Sequence, residues 1–170
     1  MITLTTQPRL EAPTATVRAS YLTGEQADCL ASGFDTGWLG PASEDFDGYV
    51  ASCQGVQRRW DVPFSTYWYI AGEHYLGTLV IRHELTPALL GDGGHIGYHV
   101  SPAWRRQGHA TRMLAAGLAE ARRLGFAEVL LTCDPANEAS RKVIVANGGR
   151  LNETLGAELR YWIDLDPARH

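Results

Sequence analysis

The chain has 170 residues, 45% hydrophobic and 20% charged, with a formal net charge of −4. Length and composition are those of one globular domain that buries a core without staples. The acidic balance argues against a dedicated nucleic-acid binder, and no apolar run approaches the roughly 20 residues of a membrane span.

The opening Met1-Ile2-Thr3-Leu4 lacks a basic segment followed by a hydrophobic block, so no secretory signal is predicted and a cytoplasmic location is expected. One strand is predicted near Ala15–Tyr21. Thr23-Gly24-Glu25-Gln26 matches a capping box, with Thr at the N-cap and Gln three residues on. It predicts a helix to about Ser32. Gly33, Gly37, Gly40 and Pro41 then predict a loop. Ser43 is placed to cap a second helix, Glu44 to about Arg59, with Phe46, Val50 and Val56 on one side. From Thr66 the period becomes that of strands. Tyr67–Ala71 and His74–His83 are predicted strands joined by a Gly72-Glu73 turn. Thr86–Gly94 predicts a loop, and His95–Val100 a third strand. Short connections predict antiparallel pairing.

The clearest helix runs from Ala110 to about Leu124. Ala110, Met113, Leu114, Gly117, Leu118 and Ala121 form one continuous stripe at helical spacing. Arg122 and Arg123 suit its C-terminus, and Gly125 ends it. Ala127–Cys133 is almost unbroken apolar sequence, as a buried central strand requires. Strand, helix and strand in that order imply a parallel crossover. Asp134-Pro135-Ala136-Asn137 starts a last helix that ends at Gly148-Gly149. Arg150–Thr154 and Arg160–Asp164 are predicted closing strands. Cys29, Cys53 and Cys133 are odd in number and lack metal-ligand spacing, so reduced thiols and no metal are expected.

The third strand leads through Ser101-Pro102-Ala103-Trp104 into Arg105-Arg106-Gln107-Gly108-His109-Ala110, where the helix opens. That order puts bare backbone N–H groups at the positive end of a helix dipole, a ready anion site. Two arginines at its mouth offer forked donors suited to phosphate. Gly108 allows close backbone approach, and Ala110, followed by Thr111, keeps the first turn uncrowded. Neither Gly-x-Gly-x-x-Gly nor Gly-Lys-Ser/Thr is present, so this is neither a Rossmann fingerprint nor a Walker loop. The residues read as a pyrophosphate cradle; a surface turn with two solvated arginines is the plain alternative.

Arg105-Arg106-Gln107-Gly108-His109-Ala110 resembles the Arg/Gln-x-x-Gly-x-Gly/Ala signature of the GNAT N-acetyltransferase superfamily. Leu130-Leu131-Thr132-Cys133 resembles that family's next strand, and Asn137 to Ile144 its following Asn-led helix. The matching region spans about Gly94 to Leu151. The resemblance implies an α+β fold: a mixed, mostly antiparallel sheet of about seven strands with about four helices, splayed between its fourth and fifth strands. It implies a single domain over residues 1–170, with a helical substrate side over about 20–60 and a cofactor core over 94–151. It implies transfer of an acetyl group from acetyl-CoA to a primary amine of a small molecule, an antibiotic or a protein, and homodimers are frequent in the family. Residues 105–111 would hold the pyrophosphate. The strand Tyr98-His99-Val100 would pair with the pantetheine arm. Asn137 and Ser140 would approach the same cofactor, although Asn137 also suits a plain helix cap.

Two positions depart from the family pattern. Ile144 stands where many members carry a Tyr that protonates the leaving thiolate, and Gly149 where Phe is usual. Tyr98 and Tyr161 are other candidate acids. The missing Tyr keeps open a catalytically weak acyl-CoA sensor, and the anion cradle alone would also suit another nucleotide. A base is needed for the amine. His95 and Glu84 are the leading candidates, with His99 and His83 behind them. Glu44, Asp45, Asp47 and Asp35, with Trp38, Phe46, Tyr49 and Trp60, are placed to attract a cationic amine, or simply to favour a helix N-terminus.

Overall fold

A computed structural model describes residues 2–155 and 157–166. Strand β1 (Arg9–Glu11) is followed by a 3-10 turn at Ala15–Val17 and helix α1 (Arg18–Ser32). The strand expected at 15–21 is therefore helical, and α1 begins before the predicted cap at Thr23. The reason is burial: Tyr21, Glu25 and Cys29 stand four residues apart and all face inward.

The loop expected from Gly33 to Pro41 contains a 3-10 turn at Gly37–Leu39 and the single-turn helix α2 (Gly40–Glu44). Asp45, not Ser43, caps α3 (Phe46–Cys53), its Oδ1 accepting from the Gly48 amide at 3.0 Å. The long helix expected to Arg59 stops at Gln54, and Val56–Arg59 is strand β2. It forms a hairpin with β3 (Val62–Ala71), which pairs with β4 (His74–Arg82). The predicted 86–94 loop holds one turn of helix, α4 (Pro87–Gly91), capped by Thr86. Then come β5 (Ile96–Val100), α5 (His109–Arg123), β6 (Glu128–Cys133), α6 (Glu138–Ala146), β7 (Arg150–Leu155) and β8 (Glu158–Asp164).

Among the described residues every strand pair is antiparallel. One sheet runs β1-β3-β4-β5, with β2 also on β3; the other runs β6-β8-β7. The described residues form eight strands and six helices where about seven and four were expected, and the gap between β5 and β6 is the expected splay. Pleat alternation sorts the faces of the first sheet. Leu79, Ile81, Ile96 and Val100 pack with Met113, Leu114 and Leu118 of α5. Trp68, Ile70 and Tyr75 pack on the opposite face with Tyr21 of α1 and Phe46 of α3. Gly117 brings α5 close to the sheet, directly over Leu79. Among the described residues no helix is long and apolar enough to cross a membrane, and all three cysteines are free.

Candidate functional site

The two sheets meet at His95 and separate beyond it. The His95 amide donates to the Leu130 carbonyl at 2.8 Å, and the Leu130 amide donates to His95 Nδ1 at 2.9 Å. Phe126 and Trp162 stack edge-on against the ring. This clamp ties the residue before β5 to β6. Burial lowers the His95 pKa to about 4, so the ring is neutral and its Nδ1 lone pair is already engaged. The clamp also sets a pH dependence. The unfolded chain takes a proton near 6.5 and the folded one near 4, so this contribution is present above pH 6.5 and fades as pH falls toward 4. The loss is on the order of 3 kcal/mol. His95→Asn keeps an acceptor for the Leu130 amide and does not titrate. Its urea midpoint should be lower than wild type at pH 7, and should fall less between pH 6.5 and 4. An unchanged slope would refute the assignment.

Beyond the clamp, β5 offers a free edge. The Arg82 amide donates to the His95 carbonyl at 2.6 Å, and the Ser101 amide to the Leu76 carbonyl at 2.8 Å. Gly97 and His99 stand between them, opposite Val80 and Thr78. Hydrogen-bonded pairs alternate along an antiparallel ladder. The backbone groups of Ile96, Tyr98 and Val100 therefore point into the gap toward β6. His99 turns its backbone to β4 and its side chain to the α1 face.

At the end of β5 the loop of residues 105–108 is exposed, with Arg106 at φ 61° and Gly108 at φ 81°. Left-handed residues on either side of Gln107 curl the backbone into a concave run of N–H groups, a shape that suits anions. Gly108 is the N-cap of α5 and has no capping side chain. The first bond inside the helix start runs from Arg112 to the Gly108 carbonyl, so the amides of His109, Ala110 and Thr111 keep no partner in the helix. His109 itself is buried against Tyr69 and Trp104, its pKa lowered by burial and by Arg112. Its side chain anchors the helix start, and only its backbone is free for an anion.

The two loop arginines part company. Arg105 turns back: its Nη2 pairs with Asp28 of α1, and its Nε donates to the Val100 carbonyl at 2.8 Å. Arg106 stays exposed at the loop. The second cation at the helix start is Arg112, which the sequence reading missed. Its Nη2 lies 3.0 Å from the Gln107 carbonyl and 3.3 Å from His109 Nδ1. Its place four residues after Gly108, one helical turn along, was the available signal.

Across the gap, Asn137 caps α6, its Oδ1 accepting from the Ser140 amide at 3.1 Å. Ser140 Oγ lies 2.9 Å from the Tyr98 hydroxyl, tying β5 to α6. Burial raises the pKa of Tyr98 and of the Cys133 thiol. Ile144 is fully buried, and a Cβ on Gly149 would lie 2.8 Å from its carbonyl oxygen. The two departures from the family pattern thus fit each other: Ile144 fills the space that a side chain at 149 would need. Tyr161 is buried in the core, and Glu84 is exposed beyond the end of β4. His83 bonds Ser65 at 2.8 Å, on the sheet face away from His99.

Glu25, Asp28 and His99 hold ligand atoms within 4.8 Å of one another. Arg105 pairs with Asp28 and Tyr75 donates to Glu25, so a metal here would sit against a guanidinium. The cluster is an ion-pair network.

The site is thus a sheet opened at its centre beside an uncapped helix start. The acetyltransferase (GNAT) family model matches residues 32–148, and the chain belongs to that family. Mycobacterium smegmatis RimJ, in complex with CoA-disulfide, superposes with a TM-score of 0.65 at 21% identity, over 94% of this chain and 86% of that one. RimL, a ribosomal L7/L12 alpha-N-protein acetyltransferase in disulfide-linked complex with coenzyme A, gives 0.65 at 17%, over 96% and 97%. An acetyl transferase of Salmonella typhimurium that modifies the N-terminal serine of L7/L12 gives 0.60 at 17%, over 95% and 96%. These likenesses carry the fold alone. Among curated proteins, none matches the sequence.

Proposed function

We propose that this protein moves the acetyl group of acetyl-CoA to a primary amine by direct attack in a ternary complex. The observation that carries the reading is the open start of α5 beside the free edge of β5. The pyrophosphate lies on the amides of Gly108, His109, Ala110 and Thr111, with Arg106 and Arg112 as counter-ions. The pantetheine arm adds along Tyr98 and Val100 as another strand would, with Asn137 and Ser140 on its far side. A backbone donor of β5 orients the thioester carbonyl. Arg105 acts from behind, holding Val100 against α1. Residues 1–170 work as one catalytic domain, in the cytoplasm and without a metal.

Cys133 supports direct attack by what it lacks. It is buried, and burial with the nearby Glu158 raises its pKa, so little thiolate exists at neutral pH. Initial rates against both substrates should give intersecting lines; parallel lines, the mark of a covalent acyl-enzyme, would overturn the mechanism. The acceptor is a small amine, an antibiotic or a protein amine. The names of RimL and of the Salmonella enzyme make a serine-led peptide the first acceptor to test. The burial of Ile144 favours one second reading, an acyl-CoA sensor, because that position offers no acid to the gap. Acetyl-CoA binding with no CoA release from any amine would decide for the sensor.

A further inference from the structure

We propose that His99 is the base that takes the proton from the acceptor amine, and that Glu25 is the positioning residue that orients it. The proposal rests on the acetyltransferase reading above. His99 lies in β5 between Tyr98 and Val100, two of the residues whose backbones face the gap. Its side chain leaves the sheet on the face opposite α5. On that face Trp68, Thr78 and His99 form one cross-strand row, and Thr66, Val80 and Gly97 form the next. The second row is half-buried and made of small side chains, with the Arg82 guanidinium lying over Gly97. The cradle lies at the α5 end, so cofactor and acceptor enter from different sides and meet at Tyr98-His99.

The ring is held in one orientation. Its Nε2 is 2.9 Å from Glu25 Oε1. Glu25 is 4% exposed and is held in turn by the Tyr75 hydroxyl, which also bonds Thr78. A carboxylate only accepts, so the neutral ring carries its hydrogen on Nε2 and keeps a bare lone pair on Nδ1. The His99 side chain is 38% exposed, and Nδ1 is the nitrogen not engaged by Glu25. A base set by a buried third group is a recurring arrangement for proton removal. His95 shares this face, but its Nδ1 already serves the Leu130 amide.

The charges around His99 are Glu25 and Asp28 from α1 and Arg105 from the turn after β5, with the Tyr75 hydroxyl behind Glu25. Burial alone lowers its pKa. The hydrogen bond and charge of Glu25, helped by Asp28, outweigh burial and the opposing Arg105, and the net shift is upward. A protonated ring is no base, so activity rises with pH through an inflection above the ordinary 6.5.

In the step, the neutral amine nitrogen attacks the thioester carbon, and the C=O electron pair moves to oxygen. The pair returns, the C–S bond breaks, and sulfur leaves as the CoA thiolate. The nitrogen gives one proton to His99 Nδ1. The imidazolium then releases that proton to the thiolate or to solvent. The products are the N-acetyl amine and CoA thiol.

The test uses the whole chain with acetyl-CoA and a serine-led peptide, alongside a panel of small primary amines. His99→Gln keeps an N–H toward Glu25 but offers no base. It should bind acetyl-CoA as wild type does, lose about 100-fold in kcat, and lose the pH inflection. In Glu25→Gln, the amide oxygen still accepts from Tyr75 and from Nε2, but the carboxylate charge that raises the imidazole pKa is gone. Its kcat should fall, and any residual activity should titrate at lower pH, which loss of packing alone would not cause. Long-range proton–nitrogen NMR should show His99 protonated on Nε2 in wild type above its pKa. Wild-type kcat and pH profile in His99→Gln would overturn the proposal while leaving the acetyltransferase reading intact. No turnover of any amine by wild type would sink that reading, and the base assignment with it. An Nδ1 hydrogen in wild type would independently refute orientation by Glu25.

Discussion

Gly108→Glu should weaken acetyl-CoA binding by about 100-fold, measured by calorimetric titration. Gly108 sits at φ 81°, and a Cβ there would meet Arg112 Nη1 at 2.9 Å. That neighbour is the end of a flexible side chain and moves aside, so the fold survives with about 1–2 kcal/mol of backbone strain. The new carboxylate then has two places to go. Aimed into the cradle, it repels the pyrophosphate. Paired with Arg112, it removes one of the cations that the phosphate needs. Each lost charge-assisted bond is worth about 1.5–3 kcal/mol, and about 1.4 kcal/mol is tenfold in affinity. Gly108→Ala carries the strain without the charge and should weaken binding far less. Equal effects of the two variants would show that strain, not charge, governs the site. Undiminished binding in Gly108→Glu would place the cofactor elsewhere.

Gly77→Val should destabilise the protein by about 3 kcal/mol, at the upper end for an overpacked core. A Cβ at Gly77 would fall on the His99 carbonyl oxygen and lie 3.2 Å from Val100 Cα. Both are backbone of β5, so no rotamer change relieves the contact. The strand must shift, and with it the edge that faces the gap. In a protein of this size such a loss lowers Tm by roughly 6–12 °C. Acetyl-CoA affinity should fall in the same variant, since Tyr98 and Val100 move with β5. A calorimetric melt with wild-type Tm would mean that β4 and β5 separate without cost, contrary to their ladder.

The parts of the molecule that depend on near neighbours in the chain were legible from the sequence. The stripe of α5, the apolar run of β6, the Asn137 cap and the Gly72 turn each arise from interactions within a few residues. Their period or chemistry is written in one short window. Where two local signals competed, the reading failed. Thr23-Gly24-Glu25-Gln26 looks like a helix start, yet burial of Tyr21 on Trp68 carries α1 back to Arg18. Ser43 and Asp45 are both capping residues, and which one acts depends on where Phe46 and Val50 find a core.

The site divides the same way. That α5 opens on an uncapped start was readable from Gly108 and the strand before it. Which cations stand beside that start was not. Arg105 is drawn off by Asp28, 77 positions away in the chain, and Arg112 lies against the loop instead. His99 meets Glu25 across 74 positions, Tyr98 meets Ser140 across 42, and His95 meets Leu130 across 35. Sequence alone determined the helix, its uncapped start and the family likeness, because local geometry follows from local side chains. Tertiary structure alone decided which histidine is clamped and which is oriented, because a side chain's partner and burial are set by segments the chain brings together only when it folds.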